Sequence, residues 1–298
     1  MSAVVAAQPP ASVGTATRRL RLRRRLGRVV FNIVLGLIAL FWLVPTFGLM
    51  LTSLRPGQSY FSDGWWTVFT KPTQLTLENY KGILSNGTIV GSLFTTVAIS
   101  IPATILVVVT SALAAYSLVF GRWRGRDWVF IVIVALMVVP LQMALIPVSS
   151  LYRVLGLFGN ILGVILFHAA FGLPFGIFLM RNFYTGIPRD LLEAARIDGA
   201  GEWTLFRRVV MPLGFPAMAS LAIFQFIWVW NDLLVSLVFL GSSPNQPVTV
   251  ALFSQLRQFG NNIDIISPAA FLSMVVPLIV FFAFQRYFVR GVLAGAVK

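Results

Sequence analysis

Residues 188–212 read PRDLLEAARIDGAGEWTLFRRVVMP and form a compact charged segment between two long apolar stretches. This segment, hereafter the charged loop, holds four acids and four arginines: Asp190, Glu193, Asp198, Glu202, Arg189, Arg196, Arg207 and Arg208. Only 11% of the 298 residues are charged, whereas 58% are hydrophobic. A soluble chain of this length could not cover so much apolar area, so the composition predicts an integral membrane protein. The charged loop is then a block between two spans that meets a partner in water.

Residue counts exclude several kinds of site. The chain has no cysteine, so disulfides, thiolate metal sites and cysteine nucleophiles are excluded. His168 is the single histidine, which argues against a histidine-based metal centre. We therefore predict no metal, no catalytic residue and no cofactor in this chain.

Apolar runs predict six membrane-spanning helices and an all-α fold. Residues 1–28 are predicted to be a cytoplasmic basic tail, disordered over residues 1–17 and rich in arginine from Arg18. The mostly apolar stretch of 26 residues that follows exceeds the roughly 20 needed to cross a bilayer and lacks a cleavage-like end. Residues 29–298 would form one six-helix domain with a core at 88–290. The predicted spans are residues 29–54, 88–120, 128–148, 154–180, 213–240 and 268–288.

The distribution of basic residues predicts the orientation. Six spans place both termini on one side, and a cytoplasmic amino terminus puts 18 of the 23 Lys and Arg residues inside. Such an excess on the cytoplasmic side is typical of membrane proteins. The net charge of +14 is thus explained by the basic residues on the cytoplasmic side, and we predict no nucleic-acid partner.

Local signals within the charged loop predict two short helices joined by a glycine turn. Pro188 suits the start of a helix, and Gly199 suits the left-handed turn that ends it. The second helix is predicted over residues 202–211, with Pro212 as its stop. The first helix would present a flat, close-packing strip: Leu191, Ala194 and Ala195. These residues alone leave two alternatives open, a surface that docks a partner and an amphipathic hairpin lying on lipid.

The spacing of the charged loop carries a resemblance to a known family. Glu193-Ala194-Ala195, then Gly199, then VVMP at residues 209–212 follow the pattern E-A-A, three residues, G, nine residues, I-x-L-P. This pattern resembles the EAA loop of ATP-binding cassette importer permeases, with valine and methionine as apolar replacements. Three further segments are similar to maltose-type sugar permeases: Leu77-Glu78-Asn79-Tyr80, Trp230-Asn231-Asp232 and the tail from Tyr287 to Lys298.

The resemblance implies a transport subunit and its partners. It implies the type I importer fold, a second homologous permease, two cytoplasmic ATPase subunits and an extracytoplasmic sugar-binding protein, in a bacterial plasma membrane. ATP and Mg²⁺ would bind the ATPases, because this chain has no G-x4-G-K-[ST] phosphate loop. The residues implied to couple to the ATPase are Glu193, Ala194, Ala195, Asp198 and Gly199, and those of the tail are Gly295, Ala296, Val297 and Lys298.

The expected solute is an oligosaccharide or disaccharide of the maltose or trehalose type. The alternatives are a permease for another solute, such as glycerol phosphate, and a membrane-embedded enzyme or ion-driven carrier, which would need paired intramembrane carboxylates. A candidate substrate path near the end of the fifth span comprises Gln225, Trp228, Trp230, Asn231 and Asp232. Asp232, placed within that span, could instead hold helices together. His168 and Gln142 are expected to make interhelical hydrogen bonds. Residues 241–267 either reach into the binding protein or form a surface or re-entrant loop.

Overall fold

A computed structural model describes residues 13–85, 87–241, 243–259 and 262–296, and side chains within residues 25–60, 62–85, 87–241, 243–256 and 262–287. Throughout these ranges the regular elements are helices, without strands, which confirms the predicted all-α class. Five described helices are long and apolar enough to cross a membrane, or six if one bent pair counts as a span. The helices are α1 (Val13–Ser53), α2 (Ser59–Ser62), α3 (Glu78–Ser85), α4 (Gly87–Phe120), α5 (Arg126–Leu136), α6 (Leu141–Val154), α7 (Ile161–Tyr184), α8 (Arg189–Ile197), α9 (Glu202–Leu205), α10 (Met211–Trp230), α11 (Leu234–Leu240), α12 (Val248–Phe259) and α13 (Ile263–Ala296).

The first span is longer than predicted. Helix α1 begins at Val13, so the arginine-rich run is helical and the expected disorder does not extend over residues 13–17. Residues 1–12 of the predicted tail lie outside the described residues. Only 6% of the apolar window of this span is buried, whereas 50% is buried in the span that contains α10. Helix α1 is therefore a peripheral helix whose surface is available to lipid.

The third span is broken rather than continuous. Helices α5 and α6 meet at an angle of 99° across a short break that contains Pro140. Proline supplies no backbone N–H and disfavours helical backbone at the residue before it. Pro140 therefore explains why the span breaks at this position.

The fourth span begins at Ile161, not at residue 154 as predicted. Gly156 and Gly159 have φ values of 69° and 78°, a left-handed backbone that a helix cannot continue through. The Asn160 side chain then accepts a 2.9 Å hydrogen bond from the Leu162 N–H and caps the new helix.

The fifth span differs at both ends. Pro212 does not stop the helix of the charged loop, because it lies in the first turn of α10, where a missing N–H is harmless. A π-helical turn over Phe206–Val210 joins α9 to α10. The span predicted to reach residue 240 ends at Trp230, and a break separates it from α11.

Helices α4, α7 and α10 form the centre of the bundle, and α13 packs against α10. Close approach of α4 and α7 depends on Gly176, because a Cβ there would lie 2.3 Å from the Ser111 Oγ. Small residues allow membrane helices to pack backbone to backbone. Apolar clusters lie at both ends of this centre, one beside the charged loop and one around Phe167 and Phe239.

The end of the bundle opposite the charged loop is covered by short helices. Arg55 is 1% exposed, and its guanidinium donates to the carbonyls of Ser59 and Asp63, both at 3.2 Å. Asn79 donates to the Ser53 and Arg55 carbonyls at 3.0 and 2.7 Å, which gives the Leu77–Tyr80 element a structural role. The buried Arg55 therefore organises the connection between the first two spans.

The connection over residues 241–267 is largely helical. It contains α12, whose Val248 N–H donates to the Thr96 Oγ1 on α4 at 2.9 Å. Ala251 on α12 shares a buried cluster with Ile89 of α4 and Ala269 of α13. The described part of this connection therefore packs against the bundle. Its insertion into a binding protein stays a prediction.

Candidate functional site

The charged loop folds as predicted, as a helix, a glycine turn and a helix. Helix α8 follows Pro188, and the chain reverses at Gly199, whose φ of 83° lies in the left-handed region. The turn is closed by two backbone bonds of 3.0 Å, from Gly199 N–H to the Arg196 carbonyl and from Ala200 N–H to the Ala195 carbonyl. Paired bonds of this kind satisfy the last carbonyls of a helix.

One face of the charged loop is buried in the bundle. Leu192 is 1% exposed and Val210 is fully buried. Both belong to an apolar cluster that includes Tyr184 and Ile187 at the end of α7 and Ala115 of α4. The inner face thus packs on protein, which argues against a hairpin lying on lipid. The buried leucine is Leu192, whereas Leu191 of the predicted strip lies outside this inner face.

The other face of α8 is exposed. Four of the five predicted coupling residues are exposed, and Ala195 is half-buried. Two exposed apolar side chains join them: Leu191 of the predicted strip, 47% exposed, and Ile197, 87% exposed, which the sequence did not single out. Extended exposed apolar patches mark interaction sites, and these two side chains add apolar area to the exposed face of α8.

The charged loop is held to the bundle by hydrogen bonds of Glu202 with Arg196 and Tyr116, hereafter the Glu202 clasp, which was not predicted from the sequence. Glu202 Oε1 accepts a 3.0 Å hydrogen bond from Arg196 Nη2 across the glycine turn. Its Oε2 accepts a 2.6 Å bond from the Tyr116 hydroxyl on α4, 86 residues away in sequence. Tyr116 also contacts Phe206 edge to face, at 5.4 Å between ring centroids. The Arg196–Glu202 spacing was visible in the sequence, but nothing there indicated the tyrosine.

The candidate substrate path lies near the break between α10 and α11. Asp232 is in this break, not within a span helix as predicted, and its carboxylate caps α11 by accepting from the N–H groups of Val235 and Ser236 at 3.2 and 2.9 Å. The fully buried His168 on α7 places its Nε2 3.5 Å from Asp232 Oδ2. The carboxylate therefore has a helix-capping role and approaches α7, but neither ring nitrogen of His168 makes the hydrogen bond between helices that was predicted for it.

Two of the five path candidates line a cavity together. Gln225 and Trp228 share a cavity of about 260 Å³ between α7 and α10 with three phenylalanines and Gly172. The Gln225 Nε2 donates to the His168 carbonyl at 3.3 Å, and its side chain occupies the space that a Cβ on Gly172 would fill. This cavity offers an aromatic face and an amide, which suit a polar solute with hydroxyl groups.

The remaining path candidates have other contacts. Trp230 is 1% exposed and donates its indole N–H to the Ser273 carbonyl on α13 at 2.9 Å, so it joins two helices rather than facing a path. Asn231 is exposed and donates back to the Ile227 carbonyl at 2.8 Å. Gln142, expected to bond between helices, lies exposed on α6.

Two other predictions concern metals and the tail. Among the described residues, no group of three or more His, Asp or Glu side chains could hold a metal ion. Gly295 and Ala296 fall in α13 where side chains are not described, and Val297 and Lys298 lie outside the described residues.

Comparisons with known proteins place this architecture in a family. Residues 107–294 match the family described as "Binding-protein-dependent transport system inner membrane component". The chain is 45% identical over 275 residues to the osmoprotective compounds uptake permease protein GgtD of Synechocystis, covering 91% of this chain and 92% of the relative. It is 46% identical over 235 residues to the alpha-glucoside transport system permease protein AglG of Rhizobium meliloti, covering 77% of this chain and 62% of that relative.

A solved structure agrees on the fold. A chain of a bacterial ABC transporter involved in the import of the acidic polysaccharide alginate superposes with a TM-score of 0.76 at 24% identity, covering 94% of this chain and 100% of that chain. The family match spans more than half of the residues and includes the whole charged loop and the α10–α11 break. The chain therefore belongs to the binding-protein-dependent transport system inner membrane components and is a permease subunit with the type I ATP-binding cassette importer fold.

Proposed function

We propose that this chain is the permease subunit of an ATP-driven sugar importer and that α8 transmits the motion of a cytoplasmic ATPase subunit to the bundle. One observation supports the proposal most strongly: one face of the charged loop is buried against the bundle, and the opposite face is exposed. Ile197 is 87% exposed on the outer face, while Leu192 is 1% exposed on the inner face. A partner that grips the exposed face therefore acts on an element whose other face is embedded among α4, α7 and α10.

The proposed mechanism is rigid-body coupling. An ATPase that holds α8 differently in its two states would shift the equilibrium between two arrangements of the spans. The glycine turn and the Glu202 clasp keep the loop from absorbing that motion as local bending. Glu193, Ala194, Ala195, Asp198 and Gly199 would form the contact, with the alanines and the glycine allowing close approach and the acids facing basic groups of the partner.

ATP hydrolysis is assigned to two partner subunits, which would bind ATP and Mg²⁺. A second, homologous permease would complete the pathway, and an extracytoplasmic binding protein would deliver the solute. The tail from Gly295 to Lys298 would add a second contact with the ATPase. Both termini would be cytoplasmic, which the inside excess of 18 among 23 basic residues supports.

A variant of the exposed face tests the coupling role. Ile197→Asp in the transporter assembled with its partners and reconstituted in proteoliposomes should lower binding-protein-stimulated ATPase activity at least tenfold, because an aspartate would be desolvated in the contact. Asn182→Asp adds the same charge at an exposed position at the end of α7 and serves as the control. Full stimulation of the Ile197→Asp transporter would contradict the proposal.

We further propose an α-glucoside-type sugar as the solute. The AglG relative is named for alpha-glucoside transport, and the cavity beside Trp228 and Gln225 offers stacking and hydrogen bonding of the kind sugars use. The GgtD relative is named for osmoprotective compounds, which favours a small osmoprotectant as the second candidate. Uptake of labelled maltose and glycine betaine into proteoliposomes separates the two. Uptake of glycine betaine alone would overturn the sugar assignment.

A further inference from the structure

A basic cavity lies beside the charged loop and is not used by the coupling role. It has a volume of about 150 Å³ and lies among the ends of α4 and α7 and the starts of α5 and α8. Three guanidinium groups line it, from Arg126, Arg181 and Arg189, against the single carboxylate of Asp127. The lining side chains therefore carry a formal charge of +2.

The one carboxylate neutralises these cations poorly. Asp127 Oδ1 is 4.0 Å from Arg126 Nε and 4.0 Å from Arg181 Nη2, too long for a hydrogen bond. The Asp127 side chain is 74% exposed, so solvent screens the attraction, whereas the Arg181 side chain is 25% exposed. Arg181 also lies over the Phe130 ring at 3.8 Å, which holds its guanidinium in place. A pre-positioned cation with a distant counter-charge favours an additional anion.

The surface next to the cavity is apolar and exposed. Trp128, in the same turn of α5 as Arg126, is 73% exposed, and Ile131 and Val132 on the following turn are 54% and 58% exposed. A tryptophan beside basic residues at the end of a span is typical of the membrane–water interface. Cations at headgroup depth and apolar side chains one turn deeper match the two parts of a phospholipid.

We propose that this cavity binds the headgroup phosphate of an anionic phospholipid, such as phosphatidylglycerol, from the leaflet on the charged-loop side. Arg126 and Arg181 donate to the phosphate oxygens, with Arg189 at the rim, and the acyl chains lie along the exposed face of α5. Guanidinium groups suit this role because their planar N–H pairs match phosphate oxygens. The assignment of that leaflet as cytoplasmic rests on the proposed function, whereas the binding does not.

Native mass spectrometry of the purified full-length chain in detergent tests the site. With matched phosphatidylglycerol and phosphatidylcholine, the wild type should retain phosphatidylglycerol preferentially. Arg181→Gln should weaken that preference about fivefold, on the basis of about 1 kcal/mol for each basic residue near an anionic surface. Arg153→Gln, which removes a cation that lies over Phe158 outside the cavity, is the control and should retain the preference.

A second variant, Asp127→Asn, and competition with inorganic phosphate test the same site independently. Asp127→Asn removes the competing carboxylate and should strengthen retention of phosphatidylglycerol, so the proposal remains testable if Arg181→Gln fails to fold. Equal retention by wild type, Arg181→Gln and Asp127→Asn would overturn the site. Displacement of the lipid by millimolar inorganic phosphate would overturn the lipid assignment in favour of a soluble anion. Because neither ATPase nor solute is present, this outcome is independent of the coupling role.

Discussion

At the scale of single residues, the carboxylate of Glu202 joins three parts of the molecule. It accepts hydrogen bonds from Arg196 on α8 and from the Tyr116 hydroxyl on α4 while lying at the start of α9. Because Glu202 is exposed, solvent screens both interactions, and each contributes about 1 kcal/mol or less. The clasp is thus better suited to fixing the orientation of the loop than to stabilising the fold.

Tyr116→Phe should therefore reduce coupling without unfolding the protein. We expect the ratio of ATP hydrolysed to solute transported to rise severalfold, because the loop can move without moving α4. The melting temperature should change little. Tyr152→Phe, which alters a tyrosine at the other end of the bundle, is the control. An unchanged ratio in Tyr116→Phe would show that the clasp has no part in coupling.

Gly199 supports a second prediction at this scale, because its requirement is conformational rather than steric. A Cβ at this position would contact nothing within 4 Å, but the φ of 83° is unfavourable for side-chain-bearing residues by about 1–2 kcal/mol. Gly199→Val should abolish stimulated ATPase activity, whereas Gly199→Asn should retain much of it, since asparagine tolerates left-handed backbone. Equal activities for the two variants would contradict this account.

At the scale of elements, the break between α10 and α11 depends on Asp232. Its two carboxylate oxygens satisfy two N–H groups at the start of α11, and its carbonyl accepts a 2.6 Å bond from Thr249 Oγ1 near the start of α12. Short helices within a membrane protein need such caps because lipid cannot satisfy free N–H groups. The same carboxylate faces His168 on α7.

Replacing Asp232 should separate capping from transport. Asp232→Ala removes the cap and should lower the free energy of unfolding by about 0.5–2 kcal/mol, measured as a lower melting temperature of the purified chain. Asp232→Asn keeps one of the two acceptor oxygens and should lose less stability than Asp232→Ala. If Asp232→Asn is stable and assembles but has lost uptake, the carboxylate also belongs to the substrate path.

At the scale of the whole molecule, the apolar bundle separates two chemically different ends. The charged loop and the basic cavity lie at one end, and α3, α12 and the buried Arg55 cover the other. The excess of basic residues predicts that the loop end is cytoplasmic. A transporter driven by a cytoplasmic ATPase requires that orientation.

The absence of native cysteine makes the orientation directly testable. Single-cysteine variants Ile197→Cys at the loop end and Leu256→Cys at the opposite end place thiols at exposed positions. In cells that express the chain without its ATPase partner, a membrane-impermeant maleimide should label Leu256→Cys only, and cell lysis should expose Ile197→Cys. Labelling of Ile197→Cys in intact cells would reverse the predicted topology and remove the basis for ATPase coupling.

Features that depend on residues adjacent in the sequence were predictable from the sequence. The helix, glycine turn and helix of the charged loop follow from Pro188, Gly199 and apolar spacing, and the fold class follows from runs of apolar residues. The breaks at Pro140 and after Trp230 were not predicted, because membrane spans often tolerate proline and polar residues where neighbouring helices satisfy the backbone. Likewise, Trp230 matched a family element, but burial against Ser273 depends on where α13 packs.

The order of residues was sufficient to predict that this chain spans a membrane, which charged segment lies between two spans and which family that segment resembles. Hydropathy, charge and backbone preference are local properties, and residue order carries them directly. Helix packing was needed to show which face of the charged loop is embedded, that Tyr116 contacts Glu202, that Asp232 caps a helix, and that three arginines line one cavity. These depend on how helices distant in sequence pack, because a side chain's role is set by the neighbours that packing brings to it.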